Sequence, residues 1–189
     1  YLDSCSHMNQ QGRYDIIVAM PFITVTTYGD TTEITQNETV TKSNEDPFRI
    51  IADLIDNYQV DTHDQLPFCG GAVGYWGYDL GHHIEELPYI SKAVDSIPDM
   101  AIGIYDTAIV VDHQTRQAII IGVNLNEESS QRYEIISNLF SNSKPHSKPP
   151  SFSLIAPPKW SSDLSAYETL FSQIKNYIHN GDCYQVNLA

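Results

Sequence analysis

Residues 70–78 read Gly70-Gly71-Ala72-Val73-Gly74-Tyr75-Trp76-Gly77-Tyr78, four glycines set among three aromatic side chains. Aromatic and β-branched residues suit a pleated, half-buried surface, whereas glycine inside a strand marks a place where other backbone comes close. The stretch therefore predicts a strand packed tightly against a neighbour. The competing reading of a glycine-rich run is a phosphate loop. The spacing of Gly70, Gly71, Gly74, Gly77 and Gly81 matches neither GxGxxG nor GxxxxGK[ST], and no Lys or Arg follows closely.

On the N-terminal side, Tyr14–Met20 and Phe22–Tyr28 are rich in β-branched and aromatic residues and read as strands broken at Pro21. Gly29-Asp30 is a turn signal, and Thr31–Gln36 with Glu38–Thr41 form a polar hairpin around Asn37, expected at a sheet edge. Asp46-Pro47 opens a helix, with Asp46 as cap and Pro47 at the first helical position. Phe48, Ile51, Leu54, Ile55 and Tyr58 share one face of it at spacings of three and four.

On the C-terminal side, Asp79–Leu87 predicts a short helix stopped by Pro88. Met100–Val111 and Ala118–Val123 read as apolar strands joined by a hairpin at His113–Arg116. Glu127–Phe140 reads as an amphipathic helix with Tyr133, Ile136, Leu139 and Phe140 inward. The Ser/Pro/Lys tract 141–151 has no core-forming residue and reads as a linker. Beyond it, Ser165 to Glu168 is a capping-box pattern. Tyr167, Leu170, Phe171, Ile174, Tyr177 and Ile178 form one stripe, and Asn180-Gly181 stops the helix. Cys183–Leu188 alternates as a strand. No regular βαβ alternation occurs, so the expected fold is α+β with mainly antiparallel sheets and flanking helices. The expected division is a domain over 1–158 and the opening helix and strand of another over 159–189. The chain starts at Tyr1 and stops at Ala189 inside a strand pattern, which is the expectation for a piece of a longer protein.

Charge narrows the partners. The 189 residues carry 24 acidic against 10 basic side chains, a formal net charge of −14, so phosphate backbones and anionic membranes are repelled. No nucleic acid is expected as a ligand. No run of eighteen apolar residues and no basic-then-apolar leader occurs. Cys5, Cys69 and Cys183 are widely spaced and form no CxxC, which suits a reducing compartment, and a cytoplasmic location is expected.

Candidate chemistry is sparse. His82 and His83 are adjacent, so on a helix they point about 100° apart and do not share a metal easily, even with Glu85 and Glu86 near. Ser4 and Cys5 lie beside Asp3 without a GxSxG elbow, and Cys69 follows Pro67-Phe68 in an apolar setting where a thiol is usually inert. Asp79, Glu85 and Glu86 read as a solvated acidic face. These residues alone assign no reaction.

Two stretches add a resemblance. Pro67 to Gly81 is similar to the GG-x-x-G-x-x-GYD segment of component I of the anthranilate and aminodeoxychorismate synthases, and Asn180-Gly181-Asp182-Cys183-Tyr184-Gln185-Val186-Asn187-Leu188-Ala189 resembles the start of their chorismate-binding domain. Leu2-Asp3-Ser4, Gly12-Arg13-Tyr14-Asp15-Ile16-Ile17, Pro98-Asp99-Met100, Tyr105-Asp106 and Val111-Asp112-His113 fall in matching order, so the resemblance spans the chain. The GDCYQVNLA reading and Tyr78-Asp79-Leu80-Gly81 suit the para-aminobenzoate branch, which serves folate synthesis, better than the anthranilate branch.

The resemblance implies amination of chorismate to 4-amino-4-deoxychorismate with ammonia from a glutamine amidotransferase partner, and a Mg²⁺ ion acting as Lewis acid and template. It places the Mg²⁺ carboxylates and the catalytic lysine beyond Ala189, so no catalytic or metal residue is assigned here and turnover by this piece is not expected. It also implies an L-tryptophan pocket, regulatory in the anthranilate branch and structural in the other, carried here by Ser4, Gln11, Gly12, Arg13 and Tyr14. The family pattern Leu-Leu-Glu-Ser is altered by Asp3 before Ser4. Without the resemblance, Ser4 reads as a strand-end hydroxyl bonded to backbone. The alternatives are an anthranilate-forming component with a tryptophan feedback site, and a stand-alone amino-acid-binding module. A strand at 183–189 left without its domain would pair with another copy, so a dimer through that edge is expected.

Overall fold

The computed structural model describes residues 1–5, 12–61, 63–88, 97–142, 151–159 and 163–188. The chain separates into two compact units, Tyr1–Lys144 and Pro145–Ala189. The first carries β1 (Tyr14–Val18), β2 (Ile23–Tyr28), β3 (Thr31–Gln36), β4 (Thr39–Ser43), α1 (Pro47–Asn57), β5 (Gly71–Trp76), a 3-10 helix (Tyr78–His83), β6 (Met100–Tyr105), β7 (Thr107–Asp112), β8 (Gln117–Gly122) and α2 (Ser129–Ser141). The second carries α3 (Leu164–Asn180).

Two antiparallel sheets make the first unit. One has the order β4-β3-β2-β6-β5 and the other β1-β7-β8. The fold class is the expected α+β, and the β3–β4 hairpin sits at a sheet edge as its polar sequence predicts.

Gly74 explains the glycine-rich strand. It pairs with Ile102 across β5 and β6, and a Cβ at Gly74 would collide with the Ala101 carbonyl oxygen. At the strand end, a Cβ at Gly77 would lie 2.8 Å from the Asp99 carbonyl oxygen. Both glycines therefore serve close backbone approach, as the sequence predicts.

The larger sheet buries one face against α1. Phe22, Ile23, Val25, Ile50, Ile51, Leu80, Met100, Ile102 and Ile104 form this core, with Phe48, Leu54 and Tyr58 partly buried on it. Asp46 caps α1 by accepting from the Phe48 amide at 2.9 Å. Phe48, Ile51, Leu54 and Tyr58 face the core as the spacing predicts, while Ile50 joins them and Ile55, at the edge of the expected face, is 46% exposed. Packing against the sheet, rather than spacing alone, decides which residues at the margin of an apolar face turn inward.

The uninterrupted run Met100–Val111 is two strands, not one. β6 belongs to the larger sheet and β7 to the smaller, separated by the single residue Asp106. Asp106 is 1% exposed, and its carboxylate receives the Arg132 guanidinium from α2, with Nε at 3.0 Å from Oδ2. Its carbonyl accepts from the Val123 amide at 2.8 Å. The chain thus crosses between sheets at a residue whose polar groups are satisfied by other elements, and no turn residue announces it.

α2 lies against β7 and β8 with Ser129, Arg132 and Ile136 buried. Tyr133, Leu139 and Phe140, expected inward, are exposed to 38%, 69% and 39%. The short helix expected at Asp79–Leu87 is the 3-10 helix, which buries Leu80.

In the second unit, Asp163 caps α3 by accepting from the Ala166 amide at 2.8 Å, two residues earlier than the Ser165–Glu168 capping box would start it. Asp is as good a cap as Ser, and its position sets the start. Gly181 ends the helix at φ +81°. Tyr167 and Phe171 stack with ring centres 6.3 Å apart, yet no residue of α3 is buried. Residues 183–188, expected as a strand, form none. A strand requires a ladder partner, and the described residues of this unit contain no other strand. Most of the 141–151 linker lies outside the described residues.

Candidate functional site

The smaller sheet positions Ser4 beside Asp15 and Arg13 beside Tyr14 and Asp112. Leu2 bridges to Ile16, with Leu2 N donating to Ile16 O at 2.8 Å and Ile16 N to Leu2 O at 3.0 Å. This lays residues 1–5 beside β1. On the other side β1 pairs with β7, Tyr14 opposite Asp112, and the His113 amide donates to the Arg13 carbonyl at 2.9 Å. The start of the chain and the β7–β8 hairpin are therefore held on either side of one short strand.

Asp15, in β1, gathers this corner. Its Oδ1 accepts from the Ser4 amide and from Ser4 Oγ, each at 3.0 Å. Its Oδ2 accepts from the Tyr1 hydroxyl at 3.0 Å and lies 2.8 Å from His113 Nε2. Only 8% of the Asp15 side chain is exposed. The Ser4 amide, together with His113, the Ser4 hydroxyl and Tyr1, holds the Asp15 carboxyl well below the usual carboxylate range against the opposing effect of burial. The Tyr1 hydroxyl is raised in turn, chiefly by its bond to Asp15.

Arg13 is engaged on Asp112. Arg13 Nη2 donates to Asp112 Oδ2 at 2.7 Å and Nε reaches both carboxylate oxygens at 3.2 Å, while the guanidinium lies 4.6 Å over the Tyr14 ring. Asp112 Oδ1 also accepts from the Gln114 and Thr115 amides and so closes the hairpin turn. Arg13, then these turn amides, holds the Asp112 carboxyl well below its ordinary range. Beside it, Val111, Asp112, His113, Arg116, Gln117 and Ala118 line a hollow of about 420 Å³.

Of the five residues expected at the tryptophan pocket, Ser4 is bonded to Asp15, and Arg13 lies over the Tyr14 ring at the start of β1. Gly12 is buried at the approach to β1, and Gln11 lies outside the described residues. Ser4 bonds to a carboxylate, not to backbone as a strand-end hydroxyl would. Tyr1, Asp15, Asp112 and His113 are the members that sequence reading missed. An acid inside an apolar strand, as in Tyr14-Asp15-Ile16-Ile17-Val18, is the available signal, because a carboxylate on a buried sheet needs donors gathered around it.

The other candidates have structural uses. His83 Nε2 lies 3.0 Å from the Gly29 carbonyl and pins the β2–β3 turn, and the Cys69 thiol is buried. Among the described residues, no group of three or more His, Cys, Asp and Glu could hold a metal ion. The resemblance places the Mg²⁺ carboxylates beyond Ala189, and the described residues offer that ion no ligand cluster. No helix among the described residues is long and apolar enough to cross a membrane.

Comparison with known proteins places this corner in context. The profile of the chorismate binding enzymes matches residues 6–189. The chain is 39% identical over 181 residues to aminodeoxychorismate synthase component 1 of Escherichia coli K12 and 38% identical over 181 residues to that of Klebsiella aerogenes. Each alignment covers 94% of this chain and 38% of the relative. The fold is that of anthranilate synthase component I from Streptococcus pneumoniae TIGR4, with a TM-score of 0.70 and 23% identity over 90% of this chain and 39% of that one.

Proposed function

The chain belongs to the family of chorismate binding enzymes, and on that premise we propose that it forms the N-terminal part of a component that aminates chorismate to 4-amino-4-deoxychorismate. The observation that carries this reading is the 39% identity to the Escherichia coli aminodeoxychorismate synthase component 1 over nearly the whole chain. The chain spans about 38% of that relative's length, so the activity is that of a longer protein. Ammonia comes from a glutamine amidotransferase partner in the cytoplasm, and Mg²⁺ is held by residues other than those described.

Within this division of labour the chain contributes an amino-acid pocket. Ser4, Gln11, Gly12, Arg13 and Tyr14 fix the polar end of L-tryptophan, and apolar neighbours take the indole. The Asp15 and Asp112 hydrogen bonds support this reading, because they hold Ser4 and Arg13 in place before any ligand arrives.

The test is product identity. A protein of the relatives' length carrying this chain is incubated with chorismate, ammonium and Mg²⁺, and the products are separated by chromatography and mass. Aminodeoxychorismate is expected, without inhibition by tryptophan. Anthranilate as product, with tryptophan inhibiting, would place the chain in the other branch.

A further inference from the structure

β8 (Gln117–Gly122) is the free edge of the smaller sheet. The opposite edge, β1, is already met by Leu2, whose amide donates to Ile16 O at 2.8 Å. Register decides which groups the free edge presents. In an antiparallel pair, residues that exchange both hydrogen bonds alternate with residues whose N–H and C=O face away. The Val123 amide donates to the Asp106 carbonyl at 2.8 Å, so Ile121 with Ala108 and Ile119 with Val110 are bonded pairs of β7 and β8. The amides and carbonyls of Ala118, Ile120 and Gly122 therefore point outward, and none of these six groups has a partner among the described residues. Natural sheet edges are blunted by charge or proline, yet Gln117-Ala118-Ile119-Ile120-Ile121-Gly122-Val123-Asn124 carries neither. At the β4 edge of the larger sheet, by contrast, Lys42 is present and pairs with Glu33 at 2.7 Å.

We propose that this edge is an interface for a second copy of the same chain, joined β8 to β8 antiparallel about a two-fold axis at Ile120. Three outward residues spaced by two are self-complementary. The two-fold sets Ala118 against the copy's Gly122, Ile120 against its own equivalent, and Gly122 against the copy's Ala118. Each of these pairs exchanges both hydrogen bonds, so all six outward groups of each copy are satisfied, whereas a slip by two residues satisfies four. Ile119 then stands opposite the copy's Ile121, which covers the 39% of Ile119 left exposed at the edge. On the face that carries α2, a Cβ at Gly122 would lie 2.6 Å from Tyr133 Cδ2, so the pairing brings the half-exposed Tyr133 ring beside the copy's small Ala118. Charge selects the same place. Two chains of net charge −14 repel wherever their acids meet, and the stretch between Arg116 and Glu127 brings none.

The test is analytical ultracentrifugation of the 189-residue chain over a wide concentration range, with amide hydrogen exchange read residue by residue. A reversible dimer is expected that tightens as salt is added, because screening weakens the repulsion and leaves the strand pairing alone. Raising the concentration is expected to protect the amides of Ala118, Ile120 and Gly122, while those of Ile119 and Ile121, bonded to β7, are protected at any concentration. Ala118→Pro removes an outward amide and no bond to β7, and is expected to weaken the dimer about tenfold to a hundredfold. Ile119→Lys sets a charge on the same edge and is expected to weaken it too, so the test stands even where the proline variant fails to fold. Val186→Lys, in the strand pattern at 183–188, is expected to leave the dimer unchanged. A monomer at every concentration would overturn the inference. A dimer lost in Val186→Lys but kept in Ile119→Lys would put the contact at the terminal pattern and overturn it as well. Protection of Ala118, Ile120 and Gly122 at every concentration would mean that the chain itself covers the edge, with the same consequence.

Discussion

Arg132 and Asp106 meet at the one residue that separates β6 from β7: the guanidinium of α2 grips the carboxylate through Nε, 3.2 Å from Oδ1 and 3.0 Å from Oδ2, and through Nη2. Arg132 also reaches Glu128 Oε2 at 3.1 Å and lies 5.3 Å from the centre of the Phe22 ring. One side chain thus ties the helix of the smaller sheet to the corner where the chain leaves the larger one. With 8% and 1% of the two side chains exposed, the pair is screened little by water.

Removing either partner leaves a buried charge uncompensated. Arg132→Met is expected to cost about 3–5 kcal/mol, read as a lowered urea midpoint. Adding Asp106→Leu to Arg132→Met is expected to recover part of that loss, because neither charge then remains buried. A single variant as stable as the parent would show that the corner is held by other contacts.

Acid should loosen the corner at Ser4. Asp15 and Asp112 are held in the folded chain below the unfolded aspartate value of about 3.9. A depressed folded value contributes stability that is complete above the unfolded value and is lost as pH falls through the folded one. Thermal midpoints are therefore expected to change little through the neutral range on this account and to fall progressively below about pH 4. Asp112→Asn is expected to be less stable at neutral pH and to show a shallower acid decline. An unchanged decline in that variant would remove Asp112 from the account.

Gly74 tests the close approach of β5 and β6. Gly74→Ala puts a methyl group into the Ala101 carbonyl, which belongs to the backbone and cannot turn aside as a side chain could. A loss of about 1–3 kcal/mol or more is expected. Hydrogen exchange should localise the loosening to β5 and the amides of β6 that pair with it. Protection there equal to the parent's would contradict the packing.

Ile50 and Ile55 separate the observed margin of the buried face of α1 from the one its spacing suggests. Ile50 is 6% exposed in the core, and Ile50→Ala is expected to cost about 2–5 kcal/mol. Ile55 is 46% exposed, and Ile55→Ala is expected to change stability by no more than about 0.5 kcal/mol. Denaturant midpoints of the two variants decide it, and a reversed order would mean that the helix turns its other margin to the sheet.

What could be read without coordinates was local. Asp46-Pro47 starts α1 because a carboxylate capping an amide and a ring without a donor both suit a first turn, and Gly181 ends α3 because a residue without Cβ tolerates positive φ. The β3–β4 and β7–β8 hairpins follow from alternation and turn residues a few positions apart. Gly74 and Gly77 announced close backbone contact, whereas Gly70 and Gly71 supply positive φ at the start of β5.

The tertiary structure decided everything that depends on residues far apart in the chain. The division of Met100–Val111 at Asp106 needs Arg132, 26 positions onward, and the pairing of Arg13 with Asp112 joins residues 99 apart. An acid in an apolar run, as at Asp106, shows that a donor is needed but not which one, since a buried charge is stabilised by whichever donor the fold delivers. The same holds for the candidate site. Ser4, Arg13 and Tyr14 were singled out by their order along the chain, whereas Asp15 became the centre of the corner only when β1 brought Tyr1, Ser4 and His113 to its two oxygens. Caps and turns act over a few residues through backbone geometry and are written in sequence. A hydrogen-bond network joining residues 1–5, β1 and the β7–β8 turn exists only after the chain has folded.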